Sequence, residues 1–174
     1  MIRLAISALA GILLVRYLGP KDYGLLSYAI SCITPLLACA GLGLNPVVTR
    51  DLVRYPKRQR ALLGSSALLL VLAGSAVYAC LAAFAVFDFS GNPVSALLLL
   101  IVGLSCLFRW GDFSVFWFES RVLSKYTVLA QSSAFVFANL LKLLLIFKQA
   151  PLLAFGWLVP LESALSAILS SFFL

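Results

Sequence analysis

Long apolar segments alternate with short polar turns over the whole length of this chain. A helix needs about 20 apolar residues to cross the ~30 Å hydrocarbon core of a bilayer. With 63% hydrophobic and 11% charged residues, the chain is far from the roughly 25% charged composition of soluble domains. We therefore predict one all-α domain over residues 1–174, a polytopic membrane bundle of about six transmembrane helices. The predicted helices cover residues 2–17, 25–44, 61–87, 94–118, 126–147 and 152–173.

Glycine and proline mark the predicted ends of the first two helices. Gly19-Pro20 is expected to end the first, because proline disfavours α-helical backbone at the residue before it, and residues 21–24 are interpreted as a polar turn. The Gly41-x-Gly43 stretch before Pro46 is expected to end the second. We interpret residues 2–17 as a transmembrane helix that has lost its beginning rather than as a signal peptide, since the apolar run continues past a cleavage-like Ala-Leu-Ala.

Basic residues are concentrated in one interhelical segment, residues 47–60, which holds five of the thirteen. Cytoplasmic loops carry an excess of Lys and Arg, so this segment, and with it both chain termini, is predicted to be cytoplasmic. At helical periodicity its apolar and basic residues fall on opposite sides. It is either an amphipathic helix on anionic headgroups or an ordinary basic loop. Nucleic acid is not expected as a partner, because the charge does not lie on a soluble face.

Metal and cofactor chemistry are not expected. The chain has no histidine, and its four cysteines lie within apolar runs without a C-x-x-C pair, whereas zinc sites need Cys/His clusters at short spacing. The predicted cytoplasmic loops offer only Asp51 and Glu119 as acidic residues, far apart in sequence. We therefore predict that the protein is not an enzyme, against the alternative of a membrane-embedded glycosyl- or phospho-transferase.

Two stretches of this sequence resemble a known family. They are RYLGPKDYGL at residues 16–25, followed by GLNP at 43–46 and TRD at 49–51, and WFESRVLSKY at residues 117–126, leading into Ala130-Gln131. They resemble the polysaccharide flippases, the Wzx-type O-antigen transporters of the multidrug/oligosaccharidyl-lipid/polysaccharide exporter superfamily. The second stretch looks like the turn between the fourth and fifth helices of that family.

The resemblance implies a transporter of undecaprenyl-pyrophosphate-linked oligosaccharide for lipopolysaccharide or a similar polymer. Such proteins move the lipid between the leaflets of the bacterial cytoplasmic (inner) membrane and use an ion gradient. The family builds two lobes of helices around a central cavity, and this chain looks like the N-terminal, MATE-like lobe. Its expected partners are the lipid-linked substrate, membrane lipids, and either a second copy or a missing C-terminal lobe.

The fourth predicted helix carries several polar residues on one face. Ser105, Arg109, Asp112 and Glu119 fall within about 80° of arc. Charges in a bilayer are costly, so this face is expected to line the bundle interior. Arg109 is a candidate for holding a pyrophosphate oxygen, with Asp112 orienting it or exchanging a proton. The alternative is an i,i+3 pair that neutralises itself.

Four further residues are candidates for the substrate site, and one is a candidate for ion coupling. Gln131, Asn139 and Lys142 form a polar stripe on the fifth helix, although Lys142 could instead extend to the membrane surface, as could Arg16. Glu162 lies near the centre of the sixth helix, two residues after Pro160. It is expected, with Asp112, to exchange the coupling ion, or else to form a static salt bridge to Lys142 or to the missing half.

The sequence leaves two other functions open. A multidrug exporter of the same superfamily would share the architecture, although the basic set Arg16, Arg109 and Lys142 favours an anionic substrate. The chain could also be an inactive half-length fragment or a non-transporting membrane subunit.

Overall fold

Helices account for almost all of the residues described by the computed structural model, which are 2–41, 43–55, 58–88, 93–120 and 124–172. The helices are α1 (Ile2–Ala40), α2 (Leu44–Arg54), α3 (Gln59–Asp88), α4 (Pro93–Gly103), α5 (Asp112–Ser120), α6 (Ser124–Phe147), α7 (Leu152–Gly156) and α8 (Leu158–Phe172), with a 3-10 segment at Leu104–Gly111. Among these described residues, five stretches are long and apolar enough to cross a membrane. The expected helical membrane bundle is thereby confirmed.

The first predicted turn is a kink inside α1 rather than a loop. Gly19 has φ 77° and ψ 170°, which is not helical, and the helix resumes at once with Pro20. Proline is well suited to the first position of a helix, because its fixed φ is helical and its missing N–H would have no helical partner there. Residues 21–24, expected to be a turn, are therefore the first turn of the second part of α1.

The backbone at Gly19 supports a test of this kink. Exchange of Gly19 for alanine is expected to lower the free energy of unfolding by about 1–3 kcal/mol, because an L-residue is strained at this positive φ. A Cβ at Gly19 would have no atom within 4 Å, so the effect would come from the backbone alone. Gly24→Ala, equally uncrowded in the same helix, is the control, and thermal unfolding in detergent is the measurement. Equal stability of the two variants would contradict the kink.

The third stretch, Pro93–Ser120, is not a uniform α-helix, which the sequence did not indicate. The 3-10 segment joins α4 to α5 and packs tightly on two neighbours. A Cβ added at Gly74 of α3 would overlap the carbonyl oxygen of Cys106, and one added at Gly111 would overlap Ala167 of α8. These glycines let the segment approach both helices at backbone distance, which fixes its place in the bundle.

Three more predicted elements differ from the structure: the second helix, the basic segment and the last helix. The second predicted helix, residues 25–44, ends at Ala40, and Gly43 adopts a left-handed conformation before α2 begins. Within the basic segment α2 ends at Arg54 and α3 begins at Gln59, and Pro56 and Lys57 lie outside the described residues. The last predicted helix is divided at Trp157 into α7 and α8. Pro160 consequently lies in the first turn of α8, where proline is tolerated, and not at mid-helix.

Two apolar clusters hold the bundle together. The larger joins α1 to α3, α4, α7 and α8 through buried side chains that include Ile33, Leu81, Leu98, Phe155 and Leu158. The smaller is formed by Val48 and Leu52 of α2, Leu70 of α3 and Phe116 of α5. Many other large apolar side chains are exposed, as expected of helices whose outer surface faces lipid.

Candidate functional site

A cleft of about 420 Å³ lies between the 3-10 segment, α5, α6 and α8, and Leu37 of α1 also lines it. Eight of its lining residues carry ionisable, amide or hydroxyl side chains, and the sequence places them in three separate predicted helices: Ser105, Arg109, Asp112, Gln131, Glu162, Ser163, Ser166 and Ser170. The fold therefore gathers, around one space within the bundle, polar groups that would be costly to expose to lipid.

A second cleft of about 430 Å³ lies beside the first, toward α2. It is lined by Gly41, Gly43 and Asn45 at the junction of α1 and α2, and by Glu119 at the end of α5. The two clefts share Arg109, Asp112, Val115 and Gln131. The Arg109–Asp112 pair therefore stands at the boundary between the two spaces.

Arg109 and Asp112 form a short ion pair, with Nη2 2.8 Å from Oδ2 and about a third of each side chain exposed. Residues i and i+3 are eclipsed in a 3-10 helix, so the 3-10 segment places the guanidinium beside the carboxylate at the start of α5. The Nε atom of Arg109 is buried and has no hydrogen-bond partner among the described residues. The guanidinium therefore keeps donor capacity beyond the ion pair.

Gly41 makes room for the guanidinium of Arg109. A Cβ at residue 41 would lie 3.1 Å from Nη2 of Arg109 and 3.4 Å from the carbonyl oxygen of Ala38. The arginine thus sits against the last turn of α1, where the C-terminal end of the helix dipole carries partial negative charge. This position stabilises the cation without a second carboxylate.

Acidic residues outnumber basic ones in the clefts. Among the described lining residues Arg109 is the single cation, whereas Asp112, Glu119 and Glu162 are carboxylic acids. In the described part of the chain, no group of three or more His, Cys, Asp or Glu residues is placed to hold a metal ion. The carboxylates are therefore dispersed around Arg109 and do not form a cage.

Serine hydroxyls line the first cleft in a regular way. Ser163, Ser166 and Ser170 of α8 face it from one side and Ser105 from the other. Each hydroxyl donates to the carbonyl oxygen three residues earlier, at 2.7–3.0 Å. Ser170 also accepts a hydrogen bond from Ser114 at 2.9 Å.

The structure brings together four of the residues that were predicted for the site and leaves three outside it. Arg109, Asp112, Gln131 and Glu162 line the first cleft. The three outside, none of which lines either cleft, are Arg16, Asn139 and Lys142. Arg16 is exposed beside a groove on α1. The buried Asn139 donates to the carbonyl oxygen of Phe135 at 2.8 Å, and Lys142 is half-buried on α6.

Sequence reasoning missed the serines of α8 and Gly41. The spacing of Ser163, Ser166 and Ser170 is a helical period, so their common face could have been found from the pattern alone. The role of Gly41 depends on the approach of Arg109 from another helix. No local signal indicates that contact.

Several helices long and apolar enough to span a membrane, packed around charged clefts, define a multi-pass membrane protein. Searches of curated proteins and of solved structures gave no match. The sequence model of one family, described as polysaccharide biosynthesis protein, matches residues 1–174. The chain belongs to this family, which confirms the resemblance drawn from residues 16–25 and 117–126.

Proposed function

We propose that this protein takes part in moving an undecaprenyl-pyrophosphate-linked oligosaccharide, such as an O-antigen repeat unit, across the bacterial cytoplasmic membrane. The observation that carries the proposal is the position of Arg109 at the boundary of two clefts inside a membrane bundle of the polysaccharide biosynthesis family. The distribution of basic residues between loops favours an orientation with both termini in the cytoplasm.

Arg109 is the proposed contact for the pyrophosphate group. A guanidinium offers several N–H donors in a planar fork, which suits phosphate oxygens. The ion pair to Asp112 engages Nη2 and about a third of the side chain is exposed, which leaves part of this fork available to a ligand. Gln131 lines both clefts and offers an amide to the same ligand, and Asp112 orients the arginine.

Asp112 and Glu162 are the proposed ion-coupling groups. Both line the first cleft, and Asp112 is bound to the arginine that would hold the substrate. Arrival of an anionic ligand at Arg109 would compete with Asp112 for the guanidinium. Uptake of a proton or a monovalent cation by the released carboxylate would then be linked to substrate binding, as reciprocal coupling requires.

The test is complementation of a bacterium that lacks its O-antigen flippase. Expression of the chain is expected to restore surface polysaccharide, and an epitope tag in the membrane fraction establishes that the protein is inserted. Absence of surface polysaccharide with an inserted, folded protein would contradict translocation by this chain. The negative control is a membrane transporter of unrelated substrates, expressed at the same level in the same strain.

A multidrug exporter is the second candidate, and the acidic excess of the clefts favours it. Three carboxylic acids accompany one arginine among the lining residues, a balance that suits cationic compounds. Of the basic set that favoured an anionic substrate, only Arg109 lies at the clefts. Increased resistance to cationic dyes in an exporter-deficient strain, without restored polysaccharide, would select this function.

A further inference from the structure

The surface of α2 that faces away from the bundle combines arginine with exposed apolar side chains. Val48 and Leu52 are buried against α3 and α5. Arg50 points the opposite way at helical periodicity, with 69% of its side chain exposed. Val47 and Val53 flank it and are 49% and 64% exposed. A fully buried helix would not carry the exposed arginine, and a fully water-facing helix would not need the exposed valines.

Charge on this surface is strongly one-sided. Arg50, Arg54, Arg58 and Arg60 are all exposed, and Asp51 is the single acid between residues 43 and 60. Asp51 binds Arg50 at 3.3 Å, and Arg54 lies 5.7 Å from the ring centroid of Tyr55. The other arginines have no acidic neighbour within this segment, so the surface has a net positive charge that calls for an anionic partner.

Contacts between α2 and α3 place this surface at the edge of the bilayer. The cluster that buries Val48 and Leu52 also contains Leu62, Leu63 and Leu70 of α3. Large, exposed leucines of α3 begin at Leu68, so lipid contact begins at the level at which α2 packs. Since α3 has 30 residues and about 20 suffice to cross the hydrocarbon, its first turns extend into the headgroup layer.

We propose that the outer surface of α2, formed by Val47, Arg50, Val53 and Arg54 and continued by Arg58, binds the phosphate groups of anionic phospholipids. The arginines contact the phosphates, and the valines enter the boundary of the acyl chains. Each arginine near an anionic surface adds about fivefold to the association. Asn45 of the same helix lines the second cleft, so the bound lipids also hold one wall of that cleft in place.

The experiment compares spin-labelled phosphatidylglycerol with spin-labelled phosphatidylcholine around the full chain reconstituted in vesicles. The wild-type protein is expected to prefer phosphatidylglycerol several-fold at 0.1 M salt and to lose most of this preference at 1 M, because salt screens exposed charges. The variant Arg50→Gln/Arg54→Gln/Arg58→Gln is expected to lose at least three quarters of the preference, whereas replacement of the three arginines by lysine should retain most of it.

The matched control removes the same charge elsewhere, through Lys21→Gln/Lys125→Gln/Lys148→Gln, at three exposed lysines. It is expected to keep the preference. Equal loss in both triple variants would mean that net charge alone attracts the lipid and would overturn the proposal, as would full preference in the arginine variant. The readout involves no transport, so failure of the proposed translocation would leave this result unaffected.

Discussion

Replacement of Arg109 by alanine is expected to lower polysaccharide export about 10- to 100-fold without changing the amount of protein in the membrane. A hydrogen bond to a charged group contributes roughly 1.5–3 kcal/mol, and each 1.4 kcal/mol corresponds to about a factor of ten. The measurement is surface polysaccharide in the complemented strain at matched expression. Arg16→Ala is the control, because Arg16 is an exposed cation that lines neither cleft.

A double variant separates a substrate contact from a self-neutralising pair. If Arg109 only neutralises Asp112, to which it is bound at 2.8 Å, then removal of both charges should return export to the wild-type level. If Arg109 holds the pyrophosphate, Arg109→Ala/Asp112→Ala should remain as impaired as the single variant. Wild-type export by Arg109→Ala, or an equal loss with Arg16→Ala, would remove Arg109 from the substrate site.

Replacement of Gly74 by alanine is expected to lower the free energy of unfolding by about 1–3 kcal/mol. The added methyl group would overlap the backbone carbonyl of Cys106, and backbone cannot move aside as a flexible side chain can. The helices must separate, with loss of packing of the kind that overpacked cores show. This loss exceeds the gain of up to about 1 kcal/mol that alanine brings to a helix interior.

Gly64→Ala is the matched control for this prediction. Gly64 belongs to the same helix, and a Cβ there would have no atom within 4 Å. This variant is expected to be as stable as the wild type or slightly more so. Thermal unfolding in detergent, followed by tryptophan fluorescence, gives the comparison. A Gly74→Ala protein as stable as Gly64→Ala would show that α3 and the 3-10 segment are not in backbone contact.

Apolar segment lengths predicted the helical membrane bundle because burial in lipid depends on composition and span length, which are local properties. The kink at Gly19 and the 3-10 segment at Leu104–Gly111 do not depend on composition or span length. The kink requires a particular backbone conformation at one residue, and the 3-10 segment is set by close packing against Gly74 and Ala167. Neither property can be read from hydrophobic periodicity.

The polar face of residues 105–119 was predictable, since unpaired charges cannot face lipid. Its partners were not, because Gln131 and Glu162 reach the same cleft from α6 and α8 through packing between distant segments. Arg16 and Lys142 were each expected either in the substrate site or extended to the membrane surface, and neither lines a cleft. Both long side chains can reach the membrane surface instead, so position along a helix did not decide their role.

The serines of the first cleft give its two sides opposite hydrogen-bonding character. On the α8 side, Ser163, Ser166 and Ser170 have each committed their proton to a backbone carbonyl, so toward the cleft they offer lone pairs, much as ether oxygens do. Arg109 offers only donors. A ligand with an acceptor-rich head and a donor-rich body, as a phosphate joined to a sugar is, would therefore be oriented by complementarity alone, head toward the arginine and hydroxyls along α8.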